Sequence, residues 1–117
     1  PKGTDEEKAV RKQGIQDATK FAIEIPFKVM EASYASLAII KAMAEQGNPN
    51  SVSDAGVGAL CARSAVMGAF MNVRINAAGY DDKTYVMEIL AKGNEIQEKT
   101  IKAESEILAI VNEKIGI

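Results

Sequence analysis

The chain has 117 residues, of which 47% are hydrophobic and 26% charged, and its formal net charge is −2. This length and balance are typical of one soluble globular domain, so we expect residues 1–117 to form a single unit. The small net charge and 5% aromatic content predict no nucleic-acid partner, because such partners require basic patches and stacking rings. With one cysteine and no histidine, the composition favours neither an internal disulfide nor a metal site.

The N-terminus carries no readable targeting signal, because residues 1–20 are charged and lack an apolar segment. The chain begins with Pro1 rather than Met, which we interpret as a processed chain or a fragment. Residues 55–73 are apolar over nearly the length of a membrane span, but they carry Arg63 centrally and are rich in Ala and Gly. We therefore predict a buried helix of a soluble, cytoplasmic protein with no membrane partner.

A first long helix is predicted from about Asp5 to Gly47. Thr4 and Glu7 have the spacing of a capping box. Because proline donates no backbone hydrogen bond, Pro26 should kink this helix or divide it into two abutting helices. The apolar positions keep helical spacing on both sides of the proline: Val10, Ile15, Ala18, Ala22, Ile25, Phe27, Met30, Tyr34, Leu37, Ile40 and Met43 or Ala44.

A turn at residues 48–50 separates this helix from a second one, which we predict from a cap at Ser51 or Ser53 to about Ala78. Glycine inside a helix costs about 1 kcal/mol relative to alanine. We expect that cost to be offset by close approach of a neighbouring helix. The glycines concerned are Gly56, Gly58 and Gly68.

Asp81 or Asp82 is predicted to cap a third, amphipathic helix of about 30 residues, or ~45 Å. Its apolar positions are Tyr85, Ile89, Ile96, Ile101, Ile107, Leu108 and Val111. Short turns between long helices predict an all-α fold, an up-and-down antiparallel bundle with one helix kinked at Pro26. Such a bundle is thin, so we infer that its nearly charge-free middle helix packs against another chain or another segment of the same protein.

Two polar groups on the second helix are candidates for a site. Ser53 and Asp54 lie where the helix N-terminus leaves backbone N–H groups free, so they either cap the helix or help to hold an anion. Asn72 and Asn76 share one helix face with Gly68. Buried amides need hydrogen-bond partners, which are either other helices or a ligand.

Arg63 lies among small apolar residues, where a guanidinium needs a carboxylate partner. That partner is either a side chain of the bundle or a substrate carboxylate. Cys61 is interpreted as a small core residue rather than a nucleophile. The methionines are interpreted in the same way, as core residues: Met30, Met43, Met67, Met71 and Met87.

Two segments of the chain together resemble a known family. They are Gly47-Asn48-x-Asn50-x-x-Ser53-Asp54 and Gly68-Ala69-x-x-Asn72-Val73-x-Ile75-Asn76. They look like the signature shared by the C-terminal domain of formiminotransferase-cyclodeaminase and the free-standing bacterial methenyltetrahydrofolate cyclohydrolases. The Pro1-Lys2 start and the Glu24-Ile25-Pro26 segment are similar to that family as well.

The resemblance implies an all-helical bundle that forms a homodimer and acts on a tetrahydrofolate one-carbon derivative without a further cofactor or a metal. The reaction is either closure of 5-formimidoyltetrahydrofolate to 5,10-methenyltetrahydrofolate with loss of ammonia, or hydrolysis of the methenyl compound to 10-formyltetrahydrofolate. Family members usually have an additional N-terminal portion. The chain would therefore be the C-terminal part of a longer cyclodeaminase-type domain.

The resemblance also implies roles for particular residues. Asp54 would be the catalytic acid–base group, oriented by Ser53. Arg63 or Arg74 would bind the glutamate tail of folate, a suitable partner for a planar cation. Hydrogen bonds to the pterin or its one-carbon unit would come from Asn48, Asn72 and Asn76. The alternative hypothesis is a non-catalytic helical dimerisation or interaction fragment of such an enzyme.

Overall fold

The computed structural model describes residues 3–117, so the Pro1-Lys2 start lies outside the described part of the chain. That part folds into three α-helices, α1 (Asp5–Gln46), α2 (Val52–Ala77) and α3 (Lys83–Ile115), with a 3₁₀ turn (Pro49–Ser51) before α2. Between residues 3 and 117 there is no strand. The predicted all-α bundle of long helices is confirmed.

The bundle is a thin rod with dimensions of 69 × 21 × 19 Å. Its radius of gyration is 19.5 Å, whereas a compact domain of this length would have about 13 Å. All three helices pack on one another, and α2 contributes to both of the larger interfaces. The expected elongated shape is therefore observed.

Helix α1 continues without interruption through Pro26. Of the two predicted alternatives, the structure therefore has one long helix and not two abutting ones. Thr4 caps it, because its hydroxyl accepts a hydrogen bond from the backbone N–H of Glu7 at 3.1 Å. Gly47 follows the last residue of the helix but has φ −74°, so it is extended rather than left-handed. A Cβ at Gly47 would collide with the carbonyl oxygen of Met43, which explains the glycine.

The carbonyl end of α1 is closed by a residue of α3 rather than by its own last turn. Lys114 donates hydrogen bonds from Nζ to the carbonyl oxygens of Ala44 at 2.6 Å and Glu45 at 2.7 Å. A cation at a helix C-terminus satisfies free carbonyls and complements the helix dipole. This contact fixes the end of α3 against the end of α1.

Only a narrow stripe of α1 is buried, at a spacing of seven residues: Ile23, Met30, Leu37 and Ala44. The prediction for the first half of α1 was partly wrong, because Val10, Ile15 and Ile25 are exposed. A seven-residue repeat keeps one stripe of an α-helix against its partners and leaves the rest uncovered.

The glycines of α2 have different roles. A Cβ at Gly56 would lie 3.1 Å from the Val111 side chain, and one at Gly58 would lie 3.5 Å from Ile40. Both therefore permit close approach of a neighbouring helix, as expected. Nothing lies within 4 Å of a Cβ built at Gly68, so this glycine opens a space instead of closing one.

Helix α3 begins at the predicted cap, where the Asp82 carboxylate accepts a hydrogen bond from the backbone N–H of Tyr85 at 3.2 Å. It ends at Gly116, which is left-handed with φ 81°. Gly93 is buried in its middle. A Cβ there would run into the ring of Phe70, so the largest buried ring of α2 depends on this missing side chain.

One long face of the bundle is apolar and uncovered. We call it the α1–α2 face, defined by exposed side chains of these two helices: Phe21, Ile25, Val29, Ile39 and Met43 of α1, and Val57, Leu60, Met71 and Ile75 of α2. Ile75 keeps 74% of its surface.

The interpretation of Cys61 as a core residue was wrong, because the thiol is exposed. Met43, Met71 and Met87 are likewise exposed, and only Met30 is fully buried.

Residues Pro49–Ala77 are long and apolar enough to cross a membrane, judged by length and composition alone. The same segment is the one that packs against both other helices, with ten buried residues in α2. A core helix of a soluble protein passes the same test. Its place in the bundle accounts for only part of its apolar composition, because 39% of the most apolar window is buried.

We expect Gly93→Ala to lower the free energy of unfolding by about 1–3 kcal/mol, because the new methyl group must displace the Phe70 ring. Gly14→Ala is the matched control, since a Cβ there meets nothing within 4 Å. Alanine at that exposed helical position should raise the same free energy by about 1 kcal/mol. Urea unfolding followed by circular dichroism measures both. Equal effects of the two substitutions would contradict the packing described for Phe70.

Candidate functional site

An open groove of about 680 Å³ lies between the central parts of α1 and α2. Its floor is low because Gly68 carries no side chain, and its walls are mainly aliphatic and aromatic. Two amides and one hydroxyl are the polar side chains on its surface. The lining residues are Phe21, Ala22, Ile25, Pro26, Val29, Ser64, Ala65, Gly68, Ala69, Asn72 and Asn76. An apolar groove of this size with a few polar groups has the usual character of a small-molecule site.

The structure brings Asn72 and Asn76 together on this groove. Asn76 donates from Nδ2 to the backbone carbonyl of Ala22 on α1 at 3.3 Å and to that of Asn72 at 2.9 Å. The Asn72 side chain is exposed. The Asn76 amide is thus bonded between helices, which was one of the two roles considered for the pair, and the Asn72 amide is open to solvent.

The residues at the start of α2 lie far from the groove. Asp54 and Ser53 are exposed in the first turn, ~27 Å from Asn72 at a rise of ~1.5 Å per residue. Asn48 lies before the 3₁₀ turn, where its Oδ1 accepts from the backbone N–H of Asn50 at 2.9 Å. Within one chain, these three residues and the two groove amides cannot contact the same small group.

The two candidate arginines have partners outside the groove, Arg63 on α3 and Arg74 on α2. Arg63 Nε lies 3.5 Å from Glu104 Oε2 of α3, so it has the carboxylate partner within the bundle that was one of its two predicted alternatives. The Arg74 guanidinium lies 4.8 Å from the centre of the Phe70 ring, a cation–π distance. Neither arginine lines the groove.

Arg63 and Glu104 form a polar layer with Thr100 between two hydrophobic clusters of the core. Glu104 keeps only 7% of its surface and Thr100 none. Arg63 Nε, Glu104 Oε2 and Thr100 Oγ1 have no hydrogen-bond partner among the described residues. The attraction between the two charges is therefore the main compensation for burying the carboxylate.

Sequence reasoning missed the α1 side of the groove. Pro26 was interpreted only as a helix breaker, and Phe21 and Val29 were not identified as candidates. Ser64 was missed on α2. The available signal was spacing, because residues 64, 68 and 72 follow one another at four-residue intervals on one helix face. No local pattern in the sequence indicates which face of α1 lies opposite these residues of α2.

No group of three or more His, Cys, Asp or Glu side chains that could hold a metal ion occurs within residues 3–117. The groove instead offers amide and hydroxyl groups among apolar walls. Fold and groove together define the class of protein: a helical-bundle domain with an open, mainly apolar groove that carries two amides and a hydroxyl.

Comparisons with known proteins identify the family. The family model described as formiminotransferase-cyclodeaminase matches residues 1–95, and the chain belongs to that family. It is 41% identical over 90 residues to the methenyltetrahydrofolate cyclohydrolase of Methylorubrum extorquens, a match covering 77% of this chain and 43% of that protein. It is also similar to the formimidoyltransferase-cyclodeaminases of Gallus gallus (29% over 114 residues, 97% of this chain and 21% of that protein) and Dictyostelium discoideum (31% over 114 residues, 97% and 20%). The chain thus spans less than half the length of these relatives.

We expect Arg63→Met to lower the free energy of unfolding by about 1–3 kcal/mol, because it leaves the nearly buried Glu104 carboxylate without its partner. Lys41→Met is the matched control. Lys41 lies 3.6 Å from Glu106, but both side chains are about half exposed, so the loss should stay below about 1 kcal/mol. Urea unfolding at neutral pH compares them. An Arg63 variant as stable as the wild type would show that the ion pair does not stabilise the bundle.

Proposed function

We propose that the chain is part of a folate one-carbon enzyme. It would close 5-formimidoyltetrahydrofolate to 5,10-methenyltetrahydrofolate with loss of ammonia, or hydrolyse the methenyl compound to 10-formyltetrahydrofolate. The observation that carries the proposal is the groove, because the second family-like segment of the sequence, from Gly68 to Asn76, supplies its floor and both of its amides. The names of the relatives agree with this substrate class.

The groove suits the pterin ring of such a substrate. The aliphatic and aromatic walls would cover the faces of a flat ring, and amides at one end would meet the polar edge. We place the ring between Ile25 and Val29 on one side and Ala65 and Gly68 on the other, in contact with Asn72 and Asn76. Either reaction also needs a group that accepts and returns a proton. The groove lining contains no ionisable side chain.

We propose that Asp54 supplies this group from a second copy of the chain. Asp54 and Asn72 lie 18 residues apart, which is five full turns of an α-helix, so they share one face of α2. This is the α1–α2 face, whose extended apolar surface is typical of an interaction site. A two-fold axis near the middle of α2 would bring Asp54 of the partner subunit over Asn72. Ser53 would orient that carboxylate, and Asn48 would lie nearby.

The proposal also includes the oligomeric state, the cellular location and the partners of this enzyme. A homodimer would bury the α1–α2 face, and the charge-poor segment Pro49–Ala77 would then belong to a soluble, cytoplasmic protein rather than to a membrane. No nucleic-acid partner is proposed, given the net charge of −2. The glutamate tail of the substrate would extend from the groove. To bind it, Arg63 would have to leave Glu104, or Arg74 would have to leave the Phe70 ring.

The full-length protein should consume or produce 5,10-methenyltetrahydrofolate, with or without release of ammonia according to which of the two reactions it catalyses. The absorbance of the methenyl compound follows both reactions. Asn72→Ala should raise KM by about tenfold through loss of a hydrogen bond in the groove. Asn94→Ala, on α3 and outside the groove lining, is the control and should leave KM unchanged. No turnover above background with either substrate would refute the proposal.

A mixing experiment tests whether one site uses two chains. Asp54→Asn should be nearly inactive alone, and so should Gly68→Trp, whose indole ring would fill the groove. After unfolding and refolding together, half of the dimers combine one chain of each kind and contain one intact site, so about a quarter of the wild-type activity should return. If both residues served one site within a chain, mixing would restore nothing.

The uncovered α1–α2 face also favours a second candidate, a non-catalytic dimerisation module derived from such an enzyme. This module would form a stable dimer without binding folate. Calorimetry with tetrahydrofolate separates the two functions, since the enzyme should give saturable heat and the module none. Sedimentation shows in the same samples whether the dimer is present.

A further inference from the structure

Pro26 creates a free backbone carbonyl inside α1. In an α-helix, the N–H of residue 26 would donate to the carbonyl of residue 22, and proline has no N–H. Helix α1 nevertheless continues on both sides of Pro26, so the carbonyl oxygen of Ala22 needs another donor. Both Ala22 and Pro26 line the groove.

That donor comes from α2. Asn76 Nδ2 lies 3.3 Å from the Ala22 oxygen and 2.9 Å from the Asn72 backbone oxygen. Carbonyl oxygens only accept hydrogen bonds, so the amide must turn its NH2 end towards both of them. Its two N–H groups are thereby used, and the orientation of the side chain is fixed by partners on two helices.

The amide oxygen of Asn76 is the end that remains. No described residue donates to Oδ1, and this atom is not among the fully buried polar atoms that lack a partner. It is therefore at least partly open to solvent, on a residue that lines the groove. We propose that Pro26 positions Asn76: the carbonyl freed by the proline holds the amide NH2, so that Oδ1 accepts a hydrogen bond from an N–H group of the flat ring bound in the groove.

This inference rests on the proposed function and deepens it, because it specifies the ring edge that the site selects. An acceptor held in one orientation favours a heterocycle whose edge carries an exocyclic amino group, because that group can donate to it. A heterocycle with a carbonyl at the same place would bind less well, because two acceptors would then face each other. A 2-aminopteridin-4-one has such an amino group. Its 2-oxo counterpart, lumazine, does not.

A double-mutant cycle on the full-length protein tests the positioning role. Asn76→Ala should raise KM about tenfold, and Pro26→Ala about threefold, because an N–H at position 26 competes for the Ala22 carbonyl and releases the amide. In the Asn76→Ala background, Pro26→Ala should have no further effect. Pro49→Ala is the matched control, since Pro49 begins the 3₁₀ turn and lies outside the groove lining. Independent, additive effects of the two substitutions would overturn the inference.

Stability and spectroscopy separate positioning from damage to the fold. Pro26→Ala restores a helical hydrogen bond, so its urea midpoint should not fall. The side-chain NH2 resonances of Asn76, observed by ¹⁵N NMR without ligand, should shift in Pro26→Ala and stay unchanged in Pro49→Ala. Unchanged Asn76 resonances in Pro26→Ala would contradict the proposed link.

Binding of the rings alone separates this inference from the proposed function. Wild-type protein should bind pterin about tenfold more tightly than lumazine in an NMR titration, and Asn76→Ala should bind the two equally. Discrimination without folate turnover would support the inference and refute the function. Turnover without discrimination, or binding of neither ring, would overturn the inference.

Discussion

The small side chains of α2 are the constraint on which the rest of the structure depends. The residues this helix buries are mostly alanines and one glycine, with Phe70 as its largest buried side chain. Helices approach closely only where side chains are short, so both α1 and α3 can lie close to α2 while they also contact each other. The same shortage of side-chain volume leaves the groove at Gly68, whereas the one large ring of α2, Phe70, requires a glycine opposite it at Gly93. Close packing and an open site therefore have one cause.

A core built from such small residues cannot bury all of the apolar surface of its helices. Two separate clusters form, with the Arg63–Glu104 pair lying between them. The α1–α2 face remains exposed along a rod 69 Å long. A thin three-helix rod exposes more surface per residue than a compact domain. This uncovered apolar surface is the basis of the proposed association with a second copy of the chain.

Local signals in the sequence determined much of the fold, and contacts between distant residues determined what could not be predicted. Thr4 and Asp82 cap their helices as expected, because capping depends on neighbours three residues away. Asn72 and Asn76 were placed on one face by spacing alone. Ile23 was missed and Ile25 misplaced because the apolar spacing was followed through Ala22 and Ile25, whereas the buried positions repeat every seven residues from Ile23. The side of α2 covered by α1 depends on packing between residues from 18 to 54 positions apart, such as Gly58 with Ile40 and Asn76 with Ala22, so the exposure of Cys61 and Met71 had no local signal.

A proline inside a helix costs about 3 kcal/mol, and the hydrogen bond from Asn76 offsets only part of that cost. Another amide of this bundle shows what a purely structural role looks like. Gln16 donates from Nε2 to the carbonyl of Gly79 and accepts at Oε1 from the backbone N–H of Asp81, so both of its ends are used and it joins α1 to the turn before α3. Asn76 uses its donor end alone. A side chain that only replaced the hydrogen bond lost at Pro26 would not need to line the groove with its amide oxygen unpaired. The cost at Pro26 is therefore better explained by binding than by folding, since it orients one of the few polar groups in a mainly apolar groove.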